Sequence, residues 1–311
     1  MNLKTITQLD ESSVIEGKYL VVADENGNAT KMVAKSISPL IYGTNNNSVA
    51  QRNCTSSGSS SFAEGKETVA SGDGSHSEGY KTTASGGSSH SEGYESFATG
   101  PYSHAEGFQT EATKSGAHAE GYMTDAKGEY SHAEGNATIA NGKSAHAENT
   151  KNTASGSMSH AGGENSVASG YLTFVHGASC TASTKGAFAI GYQSNGNGEY
   201  SFVGGENCKT KGRSSFSFGN NNLVNNTYSA SFGGGNITNN QGEFACGEYN
   251  VSYTGDTTQS TLFSIGNGSG LSNRKNAFEV KQNGDIYIYI GTTQYKLQDL
   301  LSSLIPTESE E

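Results

Sequence analysis

Polar and apolar residues recur at one fixed interval along most of this chain. Histidine occupies positions 76, 90, 104, 118, 132, 146 and 160, each 14 residues after the last. Phe62 precedes the series in the same register, and Phe174, Phe188, Phe202 and Phe216 continue it. Twelve periods run without an insertion, which chance does not produce. With the His/Phe position as zero, a period reads roughly S-H/F-A-E-G-x-x-T-x-A-x-G-x-x. Position +1 is small, as in Ala63, Ser77, Ala105 and Ala119. Position +3 is Gly except at Asn149, +8 is Ala from Ala70 through Ala182, and +10 is usually Gly. Two short alternating segments, each closed by Gly, predict two short strands and two tight turns per period.

Fourteen residues are too few for a three-sided coil. They fit a flat, two-stranded coil stacked parallel on its neighbours, an all-β solenoid. Side-chain alternation then assigns the faces. Positions +1, +6 and +8 point into a thin interior, and +7 and +9 face solvent. Cys54, Cys180 and Cys208 fall in the +6 column, where Thr is usual, and read as small buried thiols. Cys180 and Cys208 stand two coils apart, about 9.5 Å at ~4.8 Å per coil, beyond disulfide reach.

Positions 0 and +2 point out of the coil. In the first half they form columns of His76, Glu78, His90, Glu92, His104, Glu106, His118, Glu120, His132, Glu134, His146, Glu148 and His160. In the second half they become Phe174, Phe188, Ile190, Phe202, Phe216 and Phe218. A row of stacked Phe is costly in water, so these columns are expected to be buried between subunits. An Ala-lined interior also buries little apolar surface by itself. Imidazolium ions about 4.8 Å apart would repel, so neutral His or His–Glu pairing is expected, as a hydrogen-bonded ladder. Ions trapped where three His converge on an axis are the second reading. No metal centre, cofactor or catalytic residue is expected, and no enzyme, because no copy of the repeat departs like an active site. His176 at +2, where Glu is usual, reads as drift. Tyr80, Tyr94, Phe108 and Tyr122 line one corner at +4, either as a packing ladder or as contacts for sugar rings.

The repeat resembles the YadA-like head domains of trimeric autotransporter adhesins over about residues 50–250. The family's S-V-A-I-G strand aligns best with Ala187-Phe188-Ala189-Ile190-Gly191, and its x-A-x-G strand with stretches such as Thr83-Ala84-Ser85-Gly86. The resemblance implies a left-handed parallel β-roll, three side by side in a homotrimer. His and Glu stand here where the family has Val and Ile at the trimer interface.

The two ends differ from the repeat. Residues 1–45 contain "KYLVVADENGNATKMVAKSI", two strands around an Asn-Gly turn, a β-hairpin signal. This segment resembles the small N-terminal modules by which phage fibre proteins dock on the particle. The repeat domain is expected over 46–270, regular over about 54–219 and degenerate thereafter, where Phe232, Phe244 and Phe263 keep an F-x-x-G pattern. Residues 271–311 read as a hairpin, a short helix and an acidic tail. Leu297, Leu300, Leu301 and Leu304 have the spacing of a helix that seals a three-chain bundle. "AFEVKQNGDIYI" resembles the segment that follows such rolls in phage fibres and bacterial surface proteins.

Composition narrows the function. Only 32% of residues are hydrophobic, against about 45–50% apolar in ordinary domains, so assembly is the natural source of stability. A net charge of −11 argues against nucleic acid and anionic lipid as partners. No apolar run is long enough for a membrane span, and the start shows no apolar secretion segment. The expectation is a structural trimeric fibre or spike of a tailed bacteriophage, on the head or the tail. It would sit on the virion after assembly in the host cytoplasm, join a capsid or tail protein through the N-terminal module, and touch host surface glycans. The alternative is the head of a bacterial trimeric surface adhesin.

Overall fold

A computed structural model describes residues 20–23, 29–32, 40–42, 48–51, 53–291 and 293–304. Most of the expected anchoring module at 1–45 and the acidic tail lie outside the described residues. Within that module, Leu20–Ala23 and Ala29–Met32 pair antiparallel, and residues 24–28, where the turn is expected, are not among those described.

The repeat folds as a parallel β-solenoid whose coils are 14 residues long. One ladder carries the 0/+1 pair of every coil: His90 pairs with His76 and His104, Ser91 with Ser77 and Ala105. The other is a sheet of 14 strands carrying the +7/+8 pair, from Thr55–Ser56 to Ile237–Thr238. From Phe62 to Phe244 the first ladder keeps the 14-residue register without a slip, after a 13-residue step from Val49 to Phe62, and the second keeps it throughout.

The interior is as thin as the sequence implies. Ala63, Ala105 and Ala119 at +1, Thr82 and Thr110 at +6, and Ala84 and Ala112 at +8 are all fully buried. Cys180 and Cys208 fill the same +6 slot as fully buried free thiols. Several polar groups in this column satisfy corner carbonyls, although the Thr110 hydroxyl has no hydrogen-bond partner. Thr82 Oγ1 donates to the Glu78 carbonyl at 2.9 Å and Thr138 Oγ1 to that of Glu134 at 2.9 Å. Asn152 bridges the Glu148 carbonyl at 2.6 Å and the Gly163 carbonyl at 2.7 Å. Buried hydroxyls without such partners would be destabilising.

Each coil turns through three special backbone positions. Gly at +3 lies at φ near +100°, as at Gly107 (+110°), where a Cβ would stand 2.2 Å from the Gly121 carbonyl oxygen of the next coil. Positions +5 and +12 lie in the left-handed region, and most are not Gly: Lys81 at 55°, Ala137 at 53°, Tyr102 at 58°, Leu172 at 57°. The compensation is a hydrogen bond to the preceding coil. Lys81 N donates to Lys66 O at 2.9 Å, Ala137 N to Tyr122 O at 2.8 Å, and Tyr102 N to Gly87 O at 2.9 Å.

The regular register extends past residue 219. Ala230–Gly234 and Phe244–Glu248 stack parallel on Phe216–Asn220 without an insertion. These coils look degenerate in sequence because Ala230 replaces Phe at zero while Phe232 moves to +2. Residues 249–260 then interrupt the period, and Thr261–Asn267 resumes the ladder beside Phe244–Glu248. Direction reverses next. Asn276–Lys281, Ile286–Ile290 and Thr293–Lys296 add antiparallel strands, and helix Leu297–Leu304 follows. Glu243 seals this end from within. It is fully buried, and its Oε2 accepts from Asn239 N at 2.8 Å, Asn240 N at 2.9 Å and Ser252 Oγ at 2.8 Å. The helix buries no residue in the single chain, and Leu301 and Leu304 are exposed. Among the described residues no helix is long and apolar enough to cross a membrane.

Candidate functional site: the outward His–Glu and aromatic ladder

The parallel register places every zero position directly above the last. The result is one continuous stack of rings along the outer face of the 0/+1 ladder. Phe62 lies 5.2 Å from His76. His76, His90 and His104 follow at 4.8 Å centroid spacing, with ring planes within 7° of parallel. His118, His132 and His146 continue at 4.7–4.9 Å. His160 turns edge-on to His146 and lies flat on Phe174 at 4.7 Å. Phe188, Phe202 and Phe216 extend the stack at 4.7–4.8 Å.

Each imidazole reaches the +2 carboxylate of the coil before it. Nε2 stands 3.5 Å from Oε1 in His76–Glu64, 3.4 Å in His90–Glu78, 3.5 Å in His104–Glu92 and 3.4 Å in His118–Glu106. It closes to 3.1 Å in His132–Glu120 and 3.0 Å in His146–Glu134, which are hydrogen bonds. The pairing is therefore diagonal, between coils. It brings in Glu64, which the His series alone does not mark but which its +2 register does. These side chains are about one-third exposed in the single chain.

The ladder ends in a three-residue cluster. Glu148 Oε1 faces His160 Nε2 at 3.4 Å and His176 Nδ1 at 3.8 Å. Gly162 makes this possible, because a Cβ there would lie 2.6 Å from His176 Nδ1 and 2.8 Å from Glu148 Oε1. His176 thus stands on the ladder's last carboxylate. Titration follows the geometry. Burial and the neighbouring His146 hold His160 below the ordinary imidazole value. Burial and a hydrogen bond with Glu106 push Glu92 above the usual carboxylate range. At Glu106 burial acts upward, but the bonds from Glu92 and the His104 charge outweigh it and the group lies low.

The +2 column turns apolar beyond His176. Ile190 and Phe218 flank Gly204, whose missing side chain leaves room for the Phe218 ring, and Phe218 is 47% exposed. The corner aromatics also stack, Tyr80 on Tyr94 at 5.0 Å, Tyr94 on Phe108 at 4.9 Å and Phe108 on Tyr122 at 5.0 Å. Lys66 and Lys81 sit 5.1 and 5.2 Å from the Tyr80 ring centre. Both faces of Tyr94 and Phe108 are therefore occupied by neighbouring rings, and their edges are what this corner presents to a ligand.

No known protein family matches the chain, and no curated protein gives a significant match. The ladder's chemistry therefore has to be read from its own geometry. It joins stacked rings, interleaved carboxylates and a Phe stripe on one partly exposed face.

Proposed function

We propose that this chain is the shaft of a homotrimeric fibre or spike of a tailed bacteriophage, with the ring stack facing the other two chains. The observation that carries the proposal is the unbroken outward row from Phe62 through the imidazoles to Phe216. A soluble single chain rarely leaves such a stripe to water. The Ala, Ser and Thr interior supplies little apolar burial in compensation. The YadA-like resemblance supplies the threefold arrangement and the left-handed roll. From Phe62 to Phe244 the coils span about 60 Å at ~4.8 Å per coil, a length suited to a spacer. The exposed leucines of the C-terminal helix fit a three-chain seal. Attachment to the particle through residues 1–45, and contact with host glycans at the Tyr corner, complete the reading.

Two experiments test it. Phe188→Asp with Phe202→Asp places six charges in the interface of a trimer, and light scattering after size exclusion should show monomer while each coil stays β-structured by circular dichroism. Immunogold electron microscopy of phage particles, with antibody to the shaft, should label projecting fibres. Unlabelled particles would remove the virion assignment and leave the assembly to be judged separately.

A further inference from the structure

Two kinds of His–Glu pair stand in the ladder. His132 and His146 are hydrogen-bonded to their carboxylates. His76, His90, His104 and His118 are not: their Nε2 atoms are buried and have no hydrogen-bond partner. Each nonetheless faces a carboxylate oxygen at 3.4–3.5 Å. A buried nitrogen without a partner is destabilising. The separation itself has a chemical meaning. Two ligand atoms on one tetrahedral zinc ion lie about 3.4 Å apart, given bonds of ~2.0–2.1 Å. These four pairs therefore have the width of a metal-ligand edge rather than of a hydrogen bond.

A third ligand lies one coil away. The ligand atoms of His76, Glu78 and His90 lie within 4.8 Å of one another, as do those of His90, Glu92 and His104, and of His104, Glu106 and His118. Two imidazoles and one carboxylate suit zinc and similar borderline divalent cations and leave a fourth position open. A cation also offsets the repulsion of carboxylates stacked at coil spacing.

We propose that residues 76–118 of the ladder bind zinc-class divalent cations, each held by two successive imidazoles and the carboxylate between them. Neighbouring sets share an imidazole, so the sets that fill together are His76–Glu78–His90 and His104–Glu106–His118. The capacity is about two ions per chain. Each site lies within one chain and does not rest on the trimer reading.

The test uses the full chain without an affinity tag, loaded with zinc chloride alone, dialysed, and assayed by elemental mass spectrometry and calorimetry. About two zinc ions per chain are expected, with occupancy falling as pH drops below the ordinary imidazole range. His90→Gln with His104→Gln should remove most of the uptake, and Glu78→Gln, Glu92→Gln and Glu106→Gln together should do the same. His132→Gln with His146→Gln should keep it. Circular dichroism and zinc-free melting confirm that each variant folds, and the two independent deletions guard against the failure of one. Uptake below one zinc per chain, or uptake that either deletion keeps in full, overturns the proposal. Native mass spectrometry separates the two readings: a zinc-free trimer sinks the metal site alone, and a zinc-loaded monomer sinks the trimer alone.

Discussion

Gly107→Ala should be among the most damaging single-methyl changes in this molecule. Its φ is +110°, and the new Cβ would lie 2.2 Å from the Gly121 carbonyl oxygen and 3.0 Å from the Gly121 nitrogen. Opening that contact to about 3.0 Å, where real contacts begin, forces the two coils apart by ~0.8 Å against a spacing of ~4.8 Å. The flanking bonds from His104 N to Ala117 O (2.9 Å) and from Met123 N to Phe108 O (2.8 Å) would stretch past hydrogen-bond range. Two lost bonds at about 1 kcal/mol each, with 1–2 kcal/mol of backbone strain, give a cost of about 3–4 kcal/mol. Gly87→Ala is the matched control. A Cβ there meets nothing nearer than Asp73 O at 4.0 Å, and its φ is outside the left-handed region. It should be neutral or stabilise by about 0.5 kcal/mol, by restricting the unfolded chain. Urea unfolding followed by far-ultraviolet circular dichroism measures both, and hydrogen exchange localises the damage to coils 104–121. A Gly107→Ala variant within 1 kcal/mol of the parent would refute the close-contact reasoning.

The corners predict the opposite sign at another site. Ala137 lies at φ 53°, so Ala137→Gly should stabilise by about 0.5–1 kcal/mol in the same urea assay, and destabilisation would contradict the left-handed corner. Burial pushes Glu243 up to about 7, against hydrogen bonds from Asn240, Ser252 and Asn239 that pull it down. Its folded value is raised, so its contribution is complete below pH 4.5 and is lost as pH rises through about 7. Melting of Glu243→Gln between those values should show a flatter pH profile than the parent. His160 runs the other way: its folded value is lowered, so its contribution is complete above the ordinary imidazole value and is lost as pH falls below that value and through the lower folded one. His160→Phe, continuing the stack onto Phe174, should remove that acid-side loss in the same melts.

The repeat was legible because a solenoid multiplies a weak local signal. One His-Ala-Glu-Gly says little, but the same register from Phe62 to Phe216 defines the stack, the interior Ala column and the Thr slot that holds Cys180 and Cys208. The left-handed corners were not legible. Lys81, Tyr102 and Leu172 have no intrinsic preference for that region, and only a hydrogen bond to the neighbouring coil holds them there. Asn149 at a Gly position is readable in retrospect, because Asn tolerates the left-handed region; its φ is 68° and its Oδ1 accepts from Gly163 N at 3.0 Å. Glu64 and Glu243 carried signals of register. Glu64 occupies the +2 column one coil before the first His. Glu243 occupies the position before zero, which is Ser, Thr or Ala in every earlier coil from Ser61 to Ser229. The diagonal His–Glu pairing depended on side-chain reach between coils, which a period does not encode.

The central claim is that the ring stack faces other copies of this chain. Native mass spectrometry of the purified, tag-free protein tests it most directly. One chain weighs 32.3 kDa, so the account predicts a species of about three times that mass, and substitution at Phe188 and Phe202 should convert it to single chains. A parent protein that stays at 32.3 kDa across micromolar concentrations would contradict the account.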